Sequence, residues 1–165
     1  IVLPRSSRQV DWEVELAVVI GREGKRIPRQ KALDYVAGFT VMNDVSGRDA
    51  QFADSQWFRG KSFDTFAPMG PALVTPDEIG DYRNLRLTAV VDGRVMQDGS
   101  TRDMIFDIPF LIENISEDIT LLPGDIISTG TPGACAIADG DIVECRISGF
   151  QSLVNPVMDL KRSGK

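Results

Sequence analysis

The run Asp11-Trp12-Glu13-Val14-Glu15-Leu16-Ala17-Val18-Val19-Ile20-Gly21 limits the possible folds of this chain more than any other segment. From Val14 to Ile20 it is rich in Val and Ile and alternates little, as a strand buried on both faces does. Side chains two residues apart on a strand share a face, so Glu13 and Glu15 stand side by side while Trp12, Val14 and Leu16 face the other way. Two anions packed that closely beside an apolar run repel each other unless something positive lies between them, and a divalent cation meets that need. On an exposed strand the same pair would be a solvated face.

A third carboxylate is carried by Phe39-Thr40-Val41-Met42-Asn43-Asp44-Val45-Ser46, a second β-rich run with Asp44 among apolar neighbours. If the two strands pack together, Glu13, Glu15 and Asp44 form an all-oxygen site suited to Mg²⁺ or Mn²⁺, with Ca²⁺ also possible, rather than to zinc. The chain has no His, and its two cysteines, Cys135 and Cys145, lack the repeated pairing of a structural zinc site. Both read as thiols of a reducing cytoplasm.

At 165 residues the chain can form one substantial core, and a single domain over 1–165 is expected. A net charge of −6 without a dense Lys/Arg stripe argues against nucleic acid and anionic membranes as partners. The apolar stretches are too short to span a bilayer and no signal segment precedes them, which points to the cytoplasm. The opening Ile1-Val2-Leu3-Pro4 has no initiator methionine and reads as the interior of a longer protein.

Helical spacing of Ala32, Leu33 and Val36 predicts a short helix from Arg29 to Ala37, closed by Gly38. Residues 46–67 interleave aromatics with Arg48, Asp49, Gln51, Asp54, Arg59, Lys61 and Asp64, and suit an ordered binding surface. A short strand is expected at 72–74. Asp92-Gly93 predicts a type I′ hairpin turn between residues 85–91 and 94–97. Asp107 can cap a helix through Ile115, with Pro109 in its first turn and Ile108, Leu111, Ile112 and Ile115 inward. Further strands are expected at 126–129 and 142–147, and a fraying polar tail at 159–165. Strands dominate and short helices lie outside them, so the class is α+β.

Three features carry chemistry. Lys61, among aromatics that dry its surroundings, can stabilise negative charge on a substrate oxygen; the plain alternative is a surface lysine. Arg48 and Gln51 share a face if their turn is helical and could hold a carboxylate; the alternative is that Arg48 only pairs with Asp49 or Asp44. Ser128-Thr129-Gly130-Thr131-Pro132-Gly133 follows a strand and can grip carboxylate oxygens through amides and hydroxyls, or be a tight turn. No serine–histidine pair or phosphate loop is present.

Taken in order, the segment Asp11 to Gly21, Asn43-Asp44-Val45-Ser46-Gly47-Arg48-Asp49, Gly60-Lys61-Ser62-Phe63-Asp64 and Ser128-Thr129-Gly130-Thr131-Pro132 resemble the fumarylacetoacetate hydrolase family, and the resemblance extends from Pro4 to Val157. It implies a mixed β-roll or β-sandwich catalytic domain, commonly homodimeric, with Mg²⁺ held by Glu13, Glu15 and Asp44. It also implies that Arg48, Gln51 and Lys61 are catalytic and face the substrate, and that Thr131, with Gly130, grips its carboxylate end. The leading expectation is hydrolysis of a C–C bond in an acylpyruvate or fumarylpyruvate-like 2,4-dioxo acid, with Lys61 and the metal stabilising an enolate. Alternatives are an isomerase or oxaloacetate-type decarboxylase of aromatic catabolism, and a non-catalytic metal-binding homologue. Two departures stand out: the His/Glu pair that family hydrolases draw from an upstream lid would precede Ile1, and the loop after Thr131 is short. Gly47 stands where relatives often have Ala or Glu, a change expected to enlarge the pocket floor.

Overall fold

The computed structural model describes residues 1–53 and 55–161; Asp54 and residues 162–165 of the expected tail lie outside the described residues. In chain order, strands β1 (Val2–Leu3), β2 (Val10–Trp12), β3 (Val14–Ile20), β4 (Val36–Asn43) and β5 (Ser46–Gly47) lead into the short helices α1 (Arg48–Ala53) and α2 (Phe58–Lys61). There follow β6 (Met69–Val74), the hairpin β7 (Arg86–Val91) and β8 (Arg94–Ser100), helix α3 (Ile108–Asp118), and strands β9 (Ile126–Ser128), β10 (Cys135–Ala136), β11 (Ile142–Ile147), β12 (Leu153–Pro156) and β13 (Met158–Asp159).

Two four-stranded antiparallel sheets, ordered β6-β4-β3-β9 and β12-β11-β7-β8, form the sandwich. The first presses β3 and β4 onto β11, and β3 onto β7. Between them lies one buried cluster that includes Leu16, Val18, Phe39, Val41, Leu87, Ala89, Val143 and Cys145. Each fully buried Val or Leu of this kind stabilises the fold by about 1.5–3 kcal/mol, counted against an extended chain. A smaller antiparallel sheet, β10-β2-β5, and a parallel pair, β1 with β13, complete a mixed α+β architecture. Among the described residues no helix is long and apolar enough to cross a membrane.

The expected single strand from Asp11 onward is broken at Glu13. β2 joins the small sheet while β3 joins the large one. At the change of sheet the Glu13 N–H donates to Asn43 Oδ1 at 3.0 Å, and the Asp44 N–H donates to Glu13 O at 2.8 Å. That reciprocal pair ties the end of β4 to the start of β3 and brings the two carboxylates together.

Other expectations meet the structure unevenly. Asp107 caps α3 by accepting from the Phe110 N–H at 2.8 Å, and Asp92 and Gly93 both take the positive φ of a type I′ turn, 48° and 78°. The helix expected over 29–37 is instead a 3-10 turn, Arg29–Tyr35, that buries Ala32 and leaves Leu33 exposed. Gly38 does not close it but lies inside β4, where a Cβ would stand 2.6 Å from Val74 O, so its bareness serves close approach of β6. The strand expected at 72–74 begins earlier, at Met69.

Candidate active site

The break at Glu13 and the register of β3 bring one oxygen each of Glu13, Glu15 and Asp44 within 4.8 Å of one another. Glu13 and Glu15 are buried and Asp44 is half-buried. Glu15 Oε2 accepts from the Gly130 N–H at 2.7 Å and from the Ser128 hydroxyl, so the strand end and turn around β9 hold it in place. Lys61 Nζ, at the end of α2, donates to Glu13 Oε2 at 2.7 Å and to Asp44 Oδ2 at 2.5 Å.

Arg48, at the first position of α1, uses its whole fork. Nε donates to Asp11 Oδ2 at 2.8 Å, Nη2 to Glu13 Oε1 at 2.6 Å and Nη1 to Gln51 Oε1 at 2.8 Å. Arg48 therefore pairs with Asp11 and Glu13 rather than with Asp49 or Asp44. Asp49 instead accepts from the Ser7 hydroxyl and the Arg8 N–H, which anchors the amino-terminal segment beside α1.

Electrostatics follow from this packing. Burial pushes the Glu15 carboxyl above the usual carboxylate range, against the bonds from Ser128 and Gly130, and the Asp44 and Glu13 carboxylates add to the rise. Asp44 is raised by burial against the opposing pull of Lys61. Burial alone would lower Lys61, but its bonds to Asp44 and Glu13 outweigh that and hold it firmly protonated. Four clustered carboxylates (Asp11, Glu13, Glu15, Asp44) face two cations (Arg48, Lys61), and Asp11 Oδ1 is buried without a hydrogen-bond partner among the described residues. An excess of carboxylates over cations and three convergent hard oxygen donors fit a divalent cation, and this cluster can coordinate one.

Gly130 and Thr131 divide. Gly130 belongs to the cluster through its amide. The Thr131 hydroxyl is turned to Gly133 O at 2.8 Å, outside the carboxylate network. Thr129, Gly130, Thr131 and Pro132, together with Leu87 and Met104 among others, line a cavity of about 310 Å³. The bareness of Gly47 does not enlarge this cavity: a Cβ there would lie 2.9 Å from Phe63 and 3.2 Å from the Ser7 hydroxyl, so side chains already occupy the space. Trp57 and Phe58 do not dry Lys61 but stand exposed. Asp11 joins the site without having been expected there, although it lies two residues before Glu13 as Glu13 lies before Glu15. Ser128, in the run expected to grip a substrate's carboxylate oxygens, donates instead to the protein's own Glu15.

The family model for the fumarylacetoacetate (FAA) hydrolase C-terminal region matches residues 1–158. Mitochondrial oxaloacetate tautomerase FAHD2A of Bos taurus is 48% identical over 168 residues, covering 96% of this chain and 54% of that protein. The structure of 2-hydroxyhepta-2,4-diene-1,7-dioate isomerase from Mycobacterium marinum superposes with a TM-score of 0.93 at 45% identity, covering 98% of this chain and 64% of the other. That of 5-carboxymethyl-2-hydroxymuconate delta-isomerase from Mycobacterium smegmatis gives a TM-score of 0.92 at 44% identity, covering 96% and 62%. The chain thus spans between half and two thirds of these relatives, whose names describe isomerases and a tautomerase rather than C–C hydrolases. Matched along nearly its whole length in sequence and in fold, the chain belongs to the fumarylacetoacetate hydrolase C-terminal family.

Proposed function

We propose that this protein is a Mg²⁺-dependent isomerase acting on small 2-oxo acids, interconverting keto and enol forms or shifting the adjacent double bond. The observation that carries the reading is the placement of the Lys61 ammonium between Glu13 and Asp44, beside the third carboxylate of the cluster. The names of the relatives support the same alternative over the hydrolysis first expected from the sequence.

Ketonisation moves one proton from the enol oxygen to the neighbouring carbon, with no co-reactant and no bond to water. A protonated lysine at that oxygen stabilises the negative charge that develops there, and the flanking carboxylates keep the lysine charged. Glu13, Glu15 and Asp44 would hold the ion, which when bound supplies Lewis-acid polarisation of the substrate's 2-oxo group. Arg48, with its fork committed to Asp11, Glu13 and Gln51, sets the orientation of Glu13 and the placement of the Gln51 side chain. Gly130 fixes Glu15, and Thr131 binds the substrate's carboxylate end. Hydrolysis would also require a base that activates water, which isomerisation does not need.

The test is spectroscopic. The ultraviolet absorbance of enol oxaloacetate and of 2-hydroxyhepta-2,4-dienedioate is followed with full-length protein and Mg²⁺, and the product is weighed by mass spectrometry. A product of unchanged mass, formed faster than in buffer and blocked by EDTA, is expected. Release of carbon dioxide, or of pyruvate with a second acid, would overturn the proposal. A homodimer in solution is part of it and is checked by light scattering.

A further inference from the structure

Gln97 is a polar residue in an apolar position. The β7–β8 register sets it opposite Ala89 and sets Gly99 opposite Leu87, so Gln97 shares the inward face of the hairpin with buried Leu87 and Ala89. Such a face has no use for a carboxamide unless something polar meets it there. The strand is shaped to receive the 131–133 loop: a Cβ on Gly99 would stand 2.6 Å from Pro132 Cγ. Gln97 Oε1 lies 3.4 Å from Thr131 Oγ1, and Gln97 Nε2 is buried without a hydrogen-bond partner among the described residues.

The Thr131 hydroxyl has a single proton, and Gly133 O takes it at 2.8 Å. The proton cannot serve Gly133 and a substrate carboxylate together. The oxygen's two lone pairs stay available whichever way the proton turns; the Gly133 N–H stands 3.5 Å from one side of it, and a stronger donor on the other lone pair strengthens the outgoing bond. Gln97 provides such a donor once its amide is turned end for end, an exchange of two atoms of nearly equal size.

We propose that Gln97 is a positioning residue for substrate binding, donating from its side-chain amide to the Thr131 hydroxyl so that this hydroxyl can grip the substrate's carboxylate. This rests on the reading of Thr131 given above. Gln97 acts through Thr131, on binding rather than on proton transfer.

The experiment is a double-mutant cycle on the full protein with Mg²⁺ and enol oxaloacetate, using Gln97→Met, Thr131→Val and the pair. Loss of one such hydrogen bond raises KM about fivefold to tenfold for each single variant while kcat stays within about twofold. The pair is expected to be no worse than Thr131→Val alone, because Gln97 has no role without the hydroxyl. Gln97→Glu, which keeps the shape but loses the donor, is expected to match Gln97→Met and serves if the methionine variant does not fold. An unchanged KM in a folded Gln97 variant, a loss confined to kcat, or multiplicative losses in the pair would overturn this inference alone. A wild-type KM for Thr131→Val, or a wild type without turnover, would overturn the underlying reading and this inference with it.

Discussion

Leu16 and Glu15 are neighbours in one strand and belong to regions of opposite energetics. Leu16 points into the sandwich, fully buried among Val18, Phe39, Val41 and Leu87, where every contact favours folding. Glu15 points into a cluster where burial and like charge disfavour its ionised form, and where two cations answer four carboxylates. The difference shows where the stability of this protein resides: the sandwich supplies it, and the site holds charges together at a cost that a bound cation would offset.

Substitutions on the two sides separate these contributions. Leu16→Ala is expected to lower the unfolding free energy by about 3–4 kcal/mol through lost burial and the cavity left behind, seen as a shift of the urea midpoint, with little change in turnover per folded molecule. Arg48→Met, which leaves Asp11 without its cation and Glu13 with Lys61 alone, should cost about 3 kcal/mol and abolish turnover as well. An Arg48 variant as stable as wild type would show that the cluster relaxes into solvent rather than holding its charges buried.

A smaller effect tests a polar group that stabilises. The Asp107 carboxyl is raised by burial, but bonds from Arg29 and from the Phe110 N–H outweigh this and hold it below the ordinary carboxylate range. A group lowered on folding stabilises above its unfolded pKa and loses that contribution as pH falls through its folded pKa. Asp107→Ala should therefore cost about 1 kcal/mol at neutral pH, with the gap to wild type closing on acidification. Urea unfolding at a series of pH values measures it, and a gap independent of pH would remove the charge from the explanation.

The smallest expected effect concerns the two thiols. Cys145 lies in the core, where burial pushes its thiol up to about 12, while Cys135 is exposed on β10. A thiol reagent at mildly alkaline pH should modify Cys135 in the native protein and reach Cys145 only after denaturation. Rapid modification of both would mean that the sandwich opens far more readily than its packing allows.

Much of this contrast is legible in the residues. Val14 to Ile20 announce a buried strand, Asp107-Ile108-Pro109 a helix start and Asp92-Gly93 a hairpin turn, because each depends on neighbours close in sequence. The pairing of Glu13 and Glu15 with Asp44 is legible as a possibility, since period-two geometry puts the first two on one face. The change of sheet at Glu13 is not, because it depends on Asn43, thirty residues away, capturing the Glu13 N–H. The turn at 29–35 is not legible for a related reason: the spacing of Ala32, Leu33 and Val36 suits a helix, but β4 draws Val36 into the sheet and leaves only a 3-10 turn. Gln97 gives no local signal; it becomes conspicuous only when the β7–β8 register places it opposite Ala89.

Calorimetric titration with Mn²⁺, comparing wild type with Glu15→Gln, tests the cation site most directly. One ion per chain is expected to bind the wild type, and Glu15→Gln, freed of a buried charge, should lose that binding while melting at the same temperature or higher. Binding of equal affinity to both proteins, or to neither, would contradict the assignment of Glu13, Glu15 and Asp44 as a metal centre.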